Sequence, residues 1–233
     1  MIPKIILHVM LSVDGRMKGL SGDIGLYYSI ATTFDEDATL VGSGTMLAAI
    51  PLEGDVDEKV MDQSLKQDNM EVEAQKSKPI LIAVDSRGRV WNMHVWREQP
   101  YWSDLVVLCS SKTPREYLEY LSGHHIEYLT IGEEKVDLEY ALEILGHQYR
   151  FKTIRADCGP TLSRVLLDLG LISEISVMLS PELVGVRNTT GDIENAGNNG
   201  LARVHELEAV ELELLETKRL ENDHVWLHYE VKK

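Results

Sequence analysis

Apolar residues recur along the chain in two rhythms. Near-continuous apolar runs fall at Lys4 to Leu11, Ala38 to Val41, Pro79 to Val84, Leu105 to Cys109, Ile126 to Ile131 and Thr153 to Ala156. Runs with so little polar alternation predict strands covered on both faces, as in a largely parallel sheet. Between them, Leu138, Ala141, Leu142 and Leu145 stand at i, i+3, i+4 and i+7, and so do Leu162, Val165, Leu166 and Leu169. That spacing predicts two helices, with Gly146 and Gly170 as C-caps. Thr113-Pro114-Arg115-Glu116 offers an N-cap with proline at the first helical position, so a third helix is expected, with Tyr117, Leu118 and Leu121 on one face.

The last third changes to strands in sequence. Ile175 to Leu179 is apolar, and from Leu207 to Leu215 the glutamates 208, 211 and 213 alternate with apolar residues except for one slip, which predicts a bulge. Val225, Leu227, Tyr229 and Val231 alternate strictly with Trp226, His228 and Glu230, so the chain is expected to close on an antiparallel hairpin. Three segments read as insertions or mobile loops. Glu53 to Lys78 is rich in charge, with Val60, Met61 and Leu65 placed for a short helix; Trp91 to Trp102 carries three of the four tryptophans; Arg187 to Gly200, with four Asn and three Gly, is a lid or a disordered loop.

Composition narrows the function classes. Lys+Arg 23 against Asp+Glu 38 gives a net charge of −15, which argues against binding nucleic acid, whose affinity comes mainly from basic side chains displacing counterions. At 233 residues the chain can bury one sizeable core, and a single domain over residues 1–233 is expected. The first apolar run is interrupted by His8 and ends at Ser12-Val13-Asp14-Gly15, short of the roughly 18 apolar residues of a membrane span. Two cysteines, Cys109 and Cys158, exclude a disulfide framework and point to a reducing cytoplasm.

Three strand-end turns carry residues suited to chemistry. Gly42-Ser43-Gly44-Thr45 follows the second strand and opens a helix, as a phosphate cradle or as a tight turn. It lacks the third glycine of a Rossmann fingerprint, and no GK[ST] follows. Asp85-Ser86-Arg87-Gly88-Arg89 is either a phosphate grip or a solvated β-turn, and Ser12-Val13-Asp14-Gly15-Arg16 has the same ambiguity. Asp157-Cys158-Gly159-Pro160-Thr161 places an acid that either faces a crevice or caps the next helix. His224 and His228, roughly 13 Å apart on a strand, are too distant to share a metal and read as surface histidines, as do His124 and His125. Cys158 has no histidine near it in sequence and reads as an inert small hydrophobe.

Taken in order, SVDGRM (12–17), DATLVGSGTMLA (37–48), PILIAVDSRGRV (79–90), IEYLTIGEEKVDLEYALEIL (126–145) and DCGPTLSRVLLDLGLISEISVMLSPELVG (157–185) resemble the reductase domain of the riboflavin-biosynthesis deaminase-reductase family and its stand-alone relatives. The resemblance implies an α/β, dihydrofolate-reductase-like fold, with a mostly parallel central sheet flanked by helices and the antiparallel C-terminal hairpin. It also implies NADPH as cofactor and a homodimer, with Trp91 to Trp102 offered for the interface. Carried over by position, Gly42, Ser43, Gly44 and Thr45 meet the cofactor phosphates and Ser86 and Arg87 select the adenosine 2′-phosphate. Ile131, Gly132, Cys158, Gly159, Pro160 and Thr161 line the rest of the dinucleotide site. Asp157 stands where the family has a substrate-contacting glutamate; it is expected to stabilise a cationic imine while the ribosylamino group of a pyrimidine 5′-phosphate is reduced to ribitylamino, with Asp14 as a helper.

One stretch departs from the family. After Gly44-Thr45 the chain reads Met46-Leu47-Ala48-Ala49-Ile50-Pro51 and then Glu53-Gly54-Asp55, without the family's paired aspartates and following arginine. Thr33 lies near the place of a second arginine. An acidic loop repels a sugar phosphate. Two alternatives follow: a same-fold NADPH reductase of a different, unphosphorylated small molecule, and a non-catalytic nucleotide-binding protein.

Overall fold

The computed structural model describes residues 1–49, 78–185 and 209–232. In chain order the elements are β1 (Lys4–Ser12), α1 (Ile24–Ala31), β2 (Ala38–Gly42), α2 (Ser43–Ala49), β3 (Ile80–Val84), α3 (Met93–Arg97), β4 (Leu105–Cys109), α4 (Arg115–Gly123), β5 (Glu127–Thr130), α5 (Leu138–Gln148), β6 (Thr153–Ala156), α6 (Pro160–Asp168), β7 (Glu174–Ser180), β8 (Leu212–Arg219) and β9 (Val225–Val231). They fall into two compact units, residues 1–36 with 142–233, and residues 37–141.

In the first unit β1 lies between β6 and β7, parallel to both, with Ile5 opposite Ile154 and Leu7 opposite Ile175. Ile5, Ile6, Leu7 and Val9 are all buried, which is why β1 shows no apolar-polar alternation. The sheet then turns antiparallel through β7–β9 and β9–β8, and the register of the last pair shifts between Leu214 and Glu216. The predicted hairpin and bulge are both present, although the strand begins at Leu212 and runs on to Arg219. Tyr27, Ile30 and Ala31 of α1 pack with Ile6, Phe34, Met178 and Trp226. Asp23 starts that helix by accepting from the Leu26 N–H at 3.0 Å.

The second unit is a four-stranded parallel sheet in the order β5, β4, β3, β2. Leu81, Ala83, Leu105, Val107 and Cys109 from β3 and β4 pack with Tyr117 and Leu121 of α4. The segment from Trp91 to Trp102 is no loop: it carries α3, and Trp96 and Trp102 pack against this core. Only Trp91 stays half exposed, its ring edge-on to Tyr117 at 5.4 Å. Two of the three rings offered for an interface are therefore used inside the unit.

Two local expectations need correction, and a third holds. α5 runs to Gln148, so Gly146 lies inside the helix rather than capping it; a Cβ there would run into the Met1 carbonyl and the Pro3 ring, so glycine serves close approach. Gly170, at φ +62, does end α6, letting the Leu171 N–H reach the Leu166 carbonyl at 3.0 Å. Pro114, not Thr113, is the N-cap of α4, while the Thr113 hydroxyl donates to the Ser86 carbonyl at 2.9 Å. The expectations for residues 53–77, 187–200 and 207–208 lie outside the described residues.

Candidate active site and strand-end turns

In the second unit the turn after β3 is built around a buried carboxylate. Asp85 Oδ2 accepts from the Arg89 N–H at 2.7 Å and the Val90 N–H at 2.9 Å, closing the turn on its own backbone. Gly88 sits at φ +59, and a Cβ there would come within 2.6 Å of the buried Tyr117 ring, so only glycine fits. The Ser86 carbonyl is gripped by Thr113 and Ser110, and Ser86 Oγ accepts from the Val136 N–H at 3.0 Å. A hydroxyl that accepts there keeps its own hydrogen to donate, and the neighbouring Arg87 is exposed.

The other two turns of this unit differ in firmness. Ser43, the first residue of α2, is buried and accepts from Arg89 Nη2 at 2.8 Å, which ties the Gly42–Thr45 turn to the β3 turn. A Cβ on Gly44 would meet nothing within 4 Å, so this glycine is not required by packing. After β5, Ile131 is buried and Gly132 turns at φ +84; a Cβ there would overlap the Lys135 carbonyl and the Asp137 N–H. The backbone of this turn is thereby fixed.

In the first unit Asp157 follows β6 and does not cap α6. Gly159 is the N-cap, with Pro160 in the first turn. Each Asp157 oxygen instead receives a donor: Tyr27 Oη stands 3.0 Å from Oδ1 and Arg155 Nη1 3.0 Å from Oδ2. Arg155 is buried, and its Nε donates to Glu36 Oε2 at 2.6 Å. Burial works to lower the Arg155 pKa, but Asp157 and then Glu36 outweigh it and hold the guanidinium above its ordinary value. Burial, reinforced by the Asp157 charge, pushes the Tyr27 phenol well above the usual range, so it stays a hydroxyl.

A polar chain stands behind Asp157. Trp226 Nε1 donates to Ser176 Oγ at 2.8 Å, Ser176 Oγ pairs with His8 Nδ1 at 2.9 Å, and His8 Nε2 meets the Tyr27 carbonyl at 3.0 Å. A carbonyl only accepts, so Nε2 carries the hydrogen and Nδ1 accepts from Ser176. The His8 ring stacks on Tyr27 at 4.1 Å, and burial lowers its pKa from 6.5 to about 4. His8 is a neutral part of the scaffold.

The remaining candidates are placed as follows. Asp14 is bound by the Ser12 hydroxyl at 2.7 Å and by the Val184 and Gly185 N–H groups at 3.1 Å, and these hydrogen bonds, Ser12 first, lower its pKa to about 2. The structure thus joins Asp14 to the segment after β7, and Asp157 to a different set of partners. Cys158 is buried against Ser163, and burial pushes its thiol up to about 12, as it does for Cys109. Thr161 is exposed on the first turn of α6. His224, expected at the surface, is buried, and His228 pairs with Glu174 at 2.9 Å.

His8, Tyr27, Glu36 and Arg155 escaped the sequence reading. Two carried a signal: an arginine inside the apolar strand 153–156 and a histidine inside β1 each need a buried partner.

Taken together, these elements define a mixed α/β protein with glycine turns after its parallel strands and an arginine-paired acid after β6. The family match is specific: the RibD C-terminal domain matches residues 3–226, and the chain belongs to that family. The chain is 30% identical over 200 residues to the riboflavin biosynthesis protein RibD of Escherichia coli, covering 78% of this chain and 49% of that protein. It therefore spans about half the length of that relative. It is 26% identical to the 2,5-diamino-6-ribosylamino-4(3H)-pyrimidinone 5′-phosphate reductase of Methanothermobacter thermautotrophicus, over 100% of both chains. Among solved structures, a pyrimidine reductase-like protein from Corynebacterium diphtheriae superposes with a TM-score of 0.70 at 17% identity, covering 99% of this chain and 92% of that one. No helix among the described residues is long and apolar enough to cross a membrane.

Proposed function

We propose that the chain is an NADPH-dependent reductase of riboflavin biosynthesis that converts the ribosylamino group of a pyrimidine 5′-phosphate to ribitylamino. The observation that carries this reading is the Asp157 carboxylate, placed at the end of β6 where the family has its substrate-contacting glutamate and held on both oxygens. The end-to-end match to the archaeal reductase supports it. The family match runs from residue 3 to 226, so we assign residues 1–233 to one reductase domain.

In the second unit, Gly42, Ser43, Gly44 and Thr45 are assigned to the phosphates of NADPH, Ser86 and Arg87 to the 2′-phosphate, and Ile131 and Gly132 to the dinucleotide. In the first unit, Cys158, Gly159, Pro160 and Thr161 are assigned to the dinucleotide, with Cys158 acting through its backbone because its thiol is spent on Ser163. When bound, NADPH supplies the hydride. The chain's own task is to orient the substrate and to hold a negative charge against the cationic imine at Asp157. Asp14, held by Ser12 and by the Val184 and Gly185 N–H groups, is read as having a structural role beside any part as a helper. Both cysteines are free and buried, which fits the cytoplasm.

A second reading rests on the stretch after Thr45, which lacks the paired aspartates and the arginine of the substrate-phosphate motif. It makes the chain a reductase of an unphosphorylated substrate. The test is NADPH binding, followed by tryptophan fluorescence, and then NADPH oxidation with the ribosylamino-pyrimidine 5′-phosphate and with its dephosphorylated form. Oxidation with the phosphate supports the first reading; oxidation only without it supports the second. Full turnover by Asp157→Asn, or no NADPH binding at all, overturns the assignment.

A further inference from the structure

α1 is apolar on a side that the core does not bury. The helix, Ile24–Ala31, holds no charged residue. Tyr27, Ile30 and Ala31 are buried, whereas Ile24 and Tyr28, one turn apart at i and i+4, are 57% and 44% exposed. A helix face that meets only water usually carries polar side chains. Among the described residues of the first unit, Tyr28 is the one tyrosine, tryptophan or phenylalanine that is exposed.

Arg155 connects this ring to Asp157. The buried guanidinium donates from Nη1 to Asp157 Oδ2 at 3.0 Å and sets its Cζ over the Tyr28 ring, 5.8 Å from the centroid. Tyr27, next along the helix and edge-on to Tyr28 at 5.2 Å, brings its hydroxyl to 3.0 Å from Asp157 Oδ1. The carboxylate and the exposed ring thus border the same arginine and the same turn of α1, and the Asp157 side chain is itself partly open to a ligand. A cation over one face of a phenol ring draws on its electron density, which suits the other face to a flat, electron-rich heterocycle.

The chemistry of the substrate calls for such a pair. In a ribosylamino-pyrimidine the carbon to be reduced is joined to the ring through a single nitrogen, so a carboxylate that faces the cationic imine has the pyrimidine beside it. A residue that holds the ring must therefore border Asp157. We propose that Tyr28 is the platform on which the pyrimidine of the substrate stacks, with Ile24 extending the apolar wall one turn along α1. The role is to bind and select a flat heteroaromatic amine, and the side chain takes no part in proton or hydride transfer. Stacking is indifferent to the 5′-phosphate, so the platform serves the phosphorylated and the dephosphorylated pyrimidine alike. This deepens the reductase reading and rests on it for the identity of the substrate.

The test compares Tyr28→Leu, which keeps apolar bulk without a flat face, with Tyr28→Phe, which keeps the face, both in the full chain. Tyr28→Leu should raise the KM for the pyrimidine that is turned over about ten-fold, with kcat and NADPH affinity within about two-fold of the wild type, as loss of uniform binding does. Tyr28→Phe should stay near the wild type. A readout that needs neither turnover nor Tyr28→Leu is proton NMR of the wild type titrated with the dephosphorylated pyrimidine. The Tyr28 ring signals, identified by their loss in Tyr28→Phe, should move upfield and saturate. An unchanged KM in Tyr28→Leu overturns the proposal, as does a fall in kcat alone, which would make Tyr28 a support of Arg155 and Asp157. Light scattering on Tyr28→Leu should give the wild-type mass, and a lower mass would hand this face to a second copy of the chain and overturn the platform. A wild type that binds NADPH but oxidises it with neither pyrimidine overturns the substrate reading instead. The NMR titration then decides the platform by itself: a saturating upfield shift keeps it, and unmoved Tyr28 signals overturn it.

Discussion

His8 shows how one side chain ties fold to pH. Inside β1 it satisfies both nitrogens while neutral, and burial depresses its pKa from 6.5 to about 4. Between those values the unfolded chain binds a proton that the native chain refuses, so acidification favours unfolding across that window. The contribution is intact above pH 6.5, and most of about 3.5 kcal/mol, from 2.5 pH units at about 1.4 kcal/mol each, is lost by pH 4. Urea melts at a series of pH values should show this slope, and a His8→Gln variant that melts should lack it; equal slopes in the two chains would count against a buried neutral His8. Arg155 gives a second prediction at this scale. Arg155→Met leaves Glu36 and Asp157 without their buried cation and should cost roughly 3–5 kcal/mol, as breaking a buried pair does. Adding Glu36→Gln should restore part of that loss in the same melts, and no recovery would show that the pair is not coupled.

The turn after β3 is a single element in which sequence and structure can be compared position by position. Gly88 has two reasons to be glycine, its φ of +59 and the Tyr117 ring below it, and Tyr117 is too buried to move aside. Gly88→Ala should therefore destabilise the second unit by about 2–4 kcal/mol, combining backbone strain with overpacking. It should also weaken NADPH more than NADH, because the distorted turn carries Ser86 and Arg87; a melt and two titrations check both, and equal losses for the two nucleotides would remove the 2′-phosphate assignment. The glycines and the strand ends were legible in the sequence because periodicity and turn chemistry are local. The Asp85 lock, by contrast, needs the backbone path of residues 89 and 90. The clamp on Asp157 needs β1, α1 and β6 brought together, and no spacing rule connects residues 8, 27 and 155. Helix ends failed where a long-range contact overrode a local preference, as at Gly146, whose missing side chain makes room for the Met1 carbonyl.

At the scale of the whole molecule, β8 is the element that a lone chain leaves unexplained. Among the described residues it pairs only with β9, at the edge of the sheet, and Val210, Leu212, Leu214 and Leu215 on and beside it are 41–51% exposed. Natural edges are usually blunted by charge, and a bulge is present here at Leu214 to Glu216, yet four large apolar residues remain in water. Exposed apolar side chains grouped along a sheet edge mark a candidate interaction surface. The homodimer expected from the family resemblance would place a second copy of this chain on this edge and not on the tryptophans of α3, two of which are packed inside. Light scattering on the wild type should then give twice the chain mass of 26.3 kDa. Leu212→Glu/Leu214→Glu should give the single-chain mass with an unchanged circular dichroism spectrum, since both side chains already face solvent. A double variant that stays dimeric would move the interface away from β8, and a wild type that is monomeric at high protein concentration would remove the dimer altogether.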